Sequence, residues 1–219
     1  MRFSVFGDSI CVGQYVSTHE TWVTEMARQV NSLGKTAVLV QNAGVNGNTT
    51  RLALERLSYD VLSHKPDVVY VQFGMNDANT WATDFGEPRV SKKSFESNII
   101  EIVNKVIASG AKLVFIATNH PSNRRLSDGT LDSRYNAANK QYNEITRSAF
   151  QLLIEDFNNA RIELIDNELH WMKQGIAAHP QIADFLLDDG VHLSQKGHNE
   201  YIKCTVPVIV ESLRLLIAK

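Results

Sequence analysis

The stretch Met1-Arg2-Phe3-Ser4-Val5-Phe6-Gly7-Asp8-Ser9-Ile10 opens the chain with a short strand-forming run that breaks at glycine and delivers a serine. Four further runs, Ala37–Gln41, Val68–Phe73, Leu113–Thr118 and Ile162–Ile165, are like Phe3–Phe6 in being almost continuously apolar. Short runs without polar alternation fit strands covered on both faces, hence a parallel sheet. Between them the period changes. Val23, Met26, Ala27, Val30 and Leu33 recur at helical spacing ahead of Gly34, and Phe95, Ile99, Ile102 and Val106 repeat the pattern ahead of Gly110. A third helix from about Tyr135 places Ala138, Tyr142, Ile145, Ala149 and Leu152 on one face. A last one is expected from near Ser194 to near Ile217, kinked or restarted at Pro207, which lacks the amide proton of a helix interior. This alternation predicts an α/β fold, a three-layer α/β/α sandwich with right-handed crossovers, in a single domain over residues 1–219.

Composition narrows the functional classes. Lys and Arg number 22 against 24 Asp and Glu, a net charge of −2, which argues against a nucleic-acid or membrane-surface partner. The apolar fraction of 43% is that of a folded domain rather than a disordered chain. Cys11 and Cys204 lie far apart among apolar neighbours and read as reduced structural residues. No apolar run approaches the ~18 residues needed to span a bilayer, so no stable membrane anchor is expected. The start moves directly into a strand without a signal-peptide core, which predicts a cytoplasmic protein unless the chain has been trimmed. Oligomeric state is not legible.

Four segments beside the predicted strands carry chemistry. They are Gly7-Asp8-Ser9-Ile10, the glycine-spaced loop Asn42-Ala43-Gly44-Val45-Asn46-Gly47-Asn48-Thr49-Thr50 that opens a helix, Gly74-Met75-Asn76-Asp77, and Asp188-Asp189-Gly190-Val191-His192-Leu193-Ser194. Taken singly, each has a plain structural reading: Ser9 as a helix N-cap, Asn76-Asp77 as a turn, and Asp189 with His192 as a cap and its neighbour. The Gly44/Gly47 loop lacks the spacing of a phosphate cradle. Together they offer more. Acyl transfer needs a nucleophile, a base, an orienter for the base, and donors where the oxyanion forms. Ser9, His192 and Asp189 can fill the first three roles. The backbone N–H groups of Ser9 and Gly47 and the side-chain amide of Asn76 can supply the fourth, glycine at position 47 keeping a β-carbon out of the way.

In this order the four segments resemble the SGNH subgroup of GDSL-type esterases and lipases. Gly7-Asp8-Ser9-Ile10 is similar to its first block, Gly47 to its second, Gly74-Met75-Asn76-Asp77 to its third, and Asp189-Gly190-Val191-His192 to the D-x-x-H of its last. The resemblance spans Gly7 to His192. It implies a flavodoxin-like sheet of order 2-1-3-4-5, a Ser-His-Asp triad, an oxyanion hole from Ser9, Gly47 and Asn76, and hydrolysis of acyl esters with neither cofactor nor metal. The sequence departs from the family pattern at Ile10, where Leu is usual, and at Met75, where Gly or Thr is common. Neither change removes a catalytic atom, and Met75 is expected on the pocket floor.

The long segments Asn76–Ser91 and His120–Ser133 follow strands directly and are where a pocket should lie. Within them Trp81, with Phe85, is a candidate aromatic wall, and His120, with Asn119, a candidate lining at the end of the fourth strand. Arg124, Arg125 and Arg134 form a basic cluster that is either a solvated surface or a contact for an anionic leaving group. Asp8 reads as a structural hydrogen-bonding residue, Asp188 as a cap, and His198 as part of no metal site. Asn136, Asn139 and Asn143 share a helix face, read as an exposed polar stripe. The expected activity is hydrolysis of a small acyl ester or an O-acetylated carbohydrate. Lysophospholipase, thioesterase and acyltransferase activities are alternatives within the fold, and a catalytically silent binding module is one outside the enzyme class. A histidine base must be neutral to act, so activity should fall on acidification. Ester hydrolysis followed from about pH 8 to about pH 5 checks this, and a flat profile contradicts it.

Overall fold

The computed structural model describes residues 1–34, 37–156, 161–178 and 180–217. Arg2–Gly7 (β1), Leu39–Asn42 (β2), Val68–Gln72 (β3), Leu113–Ala117 (β4) and Arg161–Ile165 (β5) form one sheet of order β2-β1-β3-β4-β5, parallel throughout. The helices are Ser9–Val12 (α1), Trp22–Asn31 (α2), Thr50–Asp60 (α3), Met75–Ala78 (α4), Lys92–Ala108 (α5), Ser133–Asp156 (α6), Asn167–Lys173 (α7) and Gln195–Ile217 (α8).

The pleat sends successive side chains to opposite faces, and each face has its own core. Phe3, Val5, Val68, Tyr70, Leu113 and Phe115 point to the side covered by α2, α7 and α8. Phe6, Val69, Val71, Val114 and Ile116 point to the side covered by α3, α5 and α6. This two-sided burial is why β1, β3 and β4 read as unbroken apolar runs. The expected strand at Ala37–Gln41 begins later, at Leu39, and as an edge strand leaves Leu39 68% exposed.

Helix starts follow local chemistry. The side chains of Thr21, Thr49 and Ser91 accept backbone N–H groups at the beginnings of α2, α3 and α5. In α6 Tyr142 and Ala149 are buried as expected and Ala138 and Ile145 pack partly buried against the same core, but the last turn is out of phase, with Leu153 inside and Leu152 out. The last helix is uninterrupted. Pro207 lies on its exposed side, where the carbonyl left without a helical partner can meet water.

The expected polar stripe on α6 is corrected. Asn139 and Asn143 are buried, because they satisfy the backbone where β4 leaves the sheet. Asn143 accepts the Asn119 N–H at 2.8 Å and donates to the Asn119 carbonyl at 3.0 Å, while Asn139 donates to the His120 carbonyl at 2.9 Å. Removing such a side chain strands buried peptide groups, at a cost of about 1–3 kcal/mol. Asn143→Ala is therefore expected to lower the thermal midpoint by roughly 2–4 °C per kcal/mol in a chain of this size, whereas Lys140→Ala on the exposed side should change stability by less than about 0.5 kcal/mol. Thermal melts of the two variants check this, and equal midpoints contradict it.

Candidate active site

The sheet order changes direction between β1 and β3, whose ends lie side by side with Gly7 in register with Gln72. A crevice outside the carboxyl ends is expected at such a switch point. Both strands run straight into a one-turn helix there, α1 beginning at Ser9 and α4 at Met75.

Asp8 caps α1, its Oδ1 accepting the Ile10 N–H at 3.0 Å, and so fixes where Ser9 stands. Its Oδ2 accepts from Asn76 Nδ2 at 3.1 Å. An amide nitrogen carries two hydrogens, so this bond orients Asn76 while leaving a second donor free. Burial pushes the Asp8 carboxyl up to about 6, against the hydrogen bonds to Ile10 and Asn76 and with the nearby Asp77 adding to the rise. Asp77 is likewise raised by burial to about 6, and its Oδ1 accepts both the Thr50 N–H at 2.9 Å and the Thr50 hydroxyl at 2.5 Å. That contact ties the β3 exit to the start of α3, just past Gly47. Gly47 has φ +73, and a β-carbon there would meet nothing within 4 Å. The glycine is thus required by backbone conformation rather than by close approach of a neighbour.

His192 arrives from the opposite end of the sequence on a tight loop. Leu187 N–H donates to the His192 carbonyl at 2.7 Å and Gly190 N–H to the Leu187 carbonyl at 2.8 Å. Gly190 has φ +68, and a β-carbon would lie 2.3 Å from the Asn123 carbonyl oxygen, so no other residue fits. Asp189 Oδ1 accepts the N–H groups of Val191 and His192, each at 2.9 Å, and its Oδ2 lies 2.5 Å from His192 Nδ1. The other ring nitrogen, Nε2, lies 2.9 Å from Ser9 Oγ. Burial works to raise the Asp189 carboxyl, but hydrogen bonds from the His192 ring and from the two backbone N–H groups outweigh it and hold the group at about 2. The arrangement can draw a proton from the serine hydroxyl while a fixed charge steadies the imidazole that receives it.

A cavity of about 210 Å³ adjoins these groups, lined by Ser9, Met75, Asn76, Asn79, Tyr135 and Val191 along with Arg124, Asp189 and His192. Of the residues the sequence nominated for substrate contact, Met75 and Arg124 therefore face it. Arg134 lines a neighbouring cavity instead. Trp81 stands half exposed with the Arg89 guanidinium 4.1 Å above its ring, and Phe85 is 96% exposed. Asn119 is interior, donating to the Phe73 carbonyl at 2.9 Å. His120 is also interior, with Nδ1 2.9 Å from the Tyr201 hydroxyl and Nε2 2.8 Å from the Val191 carbonyl. It thus fastens the His192 loop rather than facing a substrate. The sequence reading nominates none of Asn79, Tyr135 and Val191 for substrate contact, and it does not single out Tyr15. Tyr15, at φ +69, stands its ring edge-on to His192 with centroids 5.3 Å apart. His198 is buried, its Nδ1 accepting the Trp22 N–H at 3.3 Å. Among the described residues no group of three His, Cys, Asp or Glu could hold a metal ion, and no helix is long and apolar enough to cross a membrane.

Comparison with known proteins places this geometry. The family model described as GDSL-like Lipase/Acylhydrolase family matches residues 5–199. The chain is 31% identical over 175 residues to an uncharacterized lipoprotein, YqeF, of Bacillus subtilis, covering 72% of this chain and 68% of that protein. It is 25% identical to an arylesterase of Vibrio mimicus, covering 86% and 87%. The acetylxylan esterase Axe2 of Geobacillus stearothermophilus has the same fold, with a TM-score of 0.75 at 18% identity over 95% of this chain and 93% of that one.

Burial also makes the site's supports sensitive to pH. It pushes His120 down to about 3 and His198 down to about 4, so both are neutral when folded and take up protons on unfolding as pH falls below their ordinary value of 6.5. Each then subtracts stability, by about 2 kcal/mol between pH 6.5 and pH 5. Asp8 and Asp77 act oppositely, because their raised carboxyls bind protons in the folded state first and relieve a cost as pH falls through 6. Denaturant unfolding at pH 7 and pH 5 should therefore separate single variants. His120→Gln should lose less stability than the parent on acidification, and Asp8→Asn should lose more. Identical pH dependence in all three proteins contradicts the assignment.

Proposed function

The chain belongs to the GDSL-like lipase/acylhydrolase family, and we propose that it is a serine esterase that hydrolyses small acyl esters, O-acetylated carbohydrates among them. The observation that carries this reading is the relay from Asp189 through His192 to Ser9, at 2.5 and 2.9 Å, on the wall of a small cavity.

Ser9 Oγ attacks the ester carbonyl as His192 Nε2 takes its proton, and Asp189 holds the ring in the tautomer that leaves Nε2 free to do so. The oxyanion is met by the Ser9 N–H, the Gly47 N–H and the Asn76 hydrogen not given to Asp8. His192 returns its proton to the departing alcohol. It then takes a proton from water, whose attack on the acyl-enzyme releases the acid and restores Ser9. An uncharged oxyanion donor at position 76 stabilises the intermediate without titrating in the working range.

Size supports a short acyl group. The space directly beside Ser9 is about 210 Å³, with Met75 and Tyr135 in its wall, which suits a small group at the reacting carbonyl. The name of an acetylxylan esterase of the same fold supports a short acyl group.

With p-nitrophenyl acetate as substrate, Ser9→Ala and His192→Ala are expected to fall to near the uncatalysed rate, and Asn76→Ala to lose on the order of 10²–10³ in turnover. A fluorophosphonate should label the parent and not Ser9→Ala, and rates along an acyl series from acetate to palmitate should peak at the short end. Undiminished hydrolysis in Ser9→Ala or His192→Ala overturns the assignment.

A further inference from the structure

A second cavity, of about 300 Å³, adjoins the one at Ser9 and shares Asn79, Arg124 and Tyr135 with it. Its charged lining is Lys92, Arg124, Arg134 and Asp132. Asp132 is engaged: its Oδ2 lies 3.3 Å from Arg124 Nε and its Oδ1 accepts the Tyr135 N–H at 3.0 Å. Arg124 in turn donates to Asn79 Oδ1 at 2.6 Å and lies over the Tyr135 ring. That pair neutralises itself. Lys92 and Arg134 remain, and among the described residues neither has a carboxylate within 4.0 Å. Among the described residues Arg134 donates to the Gly86 carbonyl alone, a neutral acceptor that leaves its charge uncancelled.

The backbone adds to the same field. Lys92 is the first residue of the 17-residue α5 and Arg134 the second of the 24-residue α6, and neither helix has an acid in its first turn. Helix N-termini carry partial positive charge and ordinarily attract acids. Here both bring cations to one concavity, and only the α6 start has an acid at its cap, Asp132, which already serves the Tyr135 N–H and Arg124. Lys92 and Arg134 are both exposed to solvent, and an anion seated between them would offset both cations and the acid-free start of α5.

We propose that this second cavity binds a carboxylate carried by the ester substrate at the end remote from the scissile bond, with Lys92 and Arg134 as its countercharges. The inference rests on the ester-hydrolase reading for the position of the scissile bond, which lies at Ser9 on the far side of Asn79 and Arg124. The carboxylate can belong to the acyl part, as in a monoester of a dicarboxylic acid, or to the alcohol part, as in an O-acetylated hydroxy acid or uronic acid.

Two matched pairs distinguish these sources: mono-p-nitrophenyl glutarate against p-nitrophenyl valerate, and O-acetylglycolate against its amide. In one pair the anionic member is expected to have the higher kcat/KM by about five- to tenfold at low ionic strength, and the advantage should shrink in about 1 M salt. Lys92→Glu should abolish or invert that ratio and Arg134→Gln should reduce it. An anionic member equal to or worse than its neutral partner in both pairs overturns the proposal while leaving ester hydrolysis in place. If no ester is turned over, calorimetric titration of the Ser9→Ala protein with mono-p-nitrophenyl glutarate decides. Weakening by about fivefold or more in Ser9→Ala/Lys92→Glu supports the subsite. Binding unaltered by Lys92→Glu, or none in the Ser9→Ala protein, overturns it.

Discussion

Chain leaving a parallel sheet gives up its ladder, and the peptide groups at the exits must find other partners or stay wet. Here buried side chains supply many of those partners, and the same side chains set the positions of the reactive groups. Asn143 closes both backbone groups of Asn119, Asn139 takes the carbonyl of His120, and His120 reaches the Val191 carbonyl beside His192. On the other side of the switch point Asp8 spans from α1 to Asn76, and Asp77 spans from α4 to Thr50. Because these groups are buried, a broken bond leaves an unsatisfied atom rather than a solvated one, which keeps the exits rigid. Positional rigidity is what a preorganised oxyanion site needs, since its donors must already be aimed when charge develops.

Legibility from sequence followed the range of the interactions. β1, β3 and β4 were plain because two-sided burial writes itself as a local run, and the four motif segments were plain because each is a contiguous string. The order of the sheet came with the family resemblance. The edge strand β2 was shifted because one of its sides faces solvent, and the short helix α7 went unseen because seven residues hold too few turns for a period to register. The buried asparagines of α6 were read as solvated because their partners lie 19 to 24 residues away on another element, and an amide shows no difference in sequence between water and a peptide group. His120 and Tyr15 failed for the same reason. Their neighbours, Val191 and His192, are 71 and 177 positions distant and are brought close by the strand order, which sets the ends of β1 and β4 on either side of β3.

Charge tells a similar story at two scales. Overall the chain is nearly balanced, with a net charge of −2. Locally the balance separates. Carboxylates gather around Ser9, where Asp189 is held ionised and Asp8 and Asp77 are raised by burial, while Lys92 and Arg134, which have no acid partner among the described residues, line the adjoining cavity. The two regions share Arg124, already paired with Asp132, as their boundary. An ester lying across it would present its reacting carbonyl to one field and its remote end to the other.

The contact at Gly190 couples two parts of the molecule that could otherwise drift independently. The loop bearing the base presses its backbone against Asn123 and Arg124, and Asn123 N–H donates to the Gly190 carbonyl at 2.8 Å. Insertions or deletions in the segment after β4 would therefore move the imidazole together with the cavity wall. The segment after α4 is held from the same side, Asn79 by Arg124 and Gly86 by Arg134, while its aromatic residues Trp81 and Phe85 project outward. The base-side loop, the segment after β4 and the segment after α4 are thus clamped together through Asn123, Arg124 and Arg134, so the wall and the imidazole move as one piece.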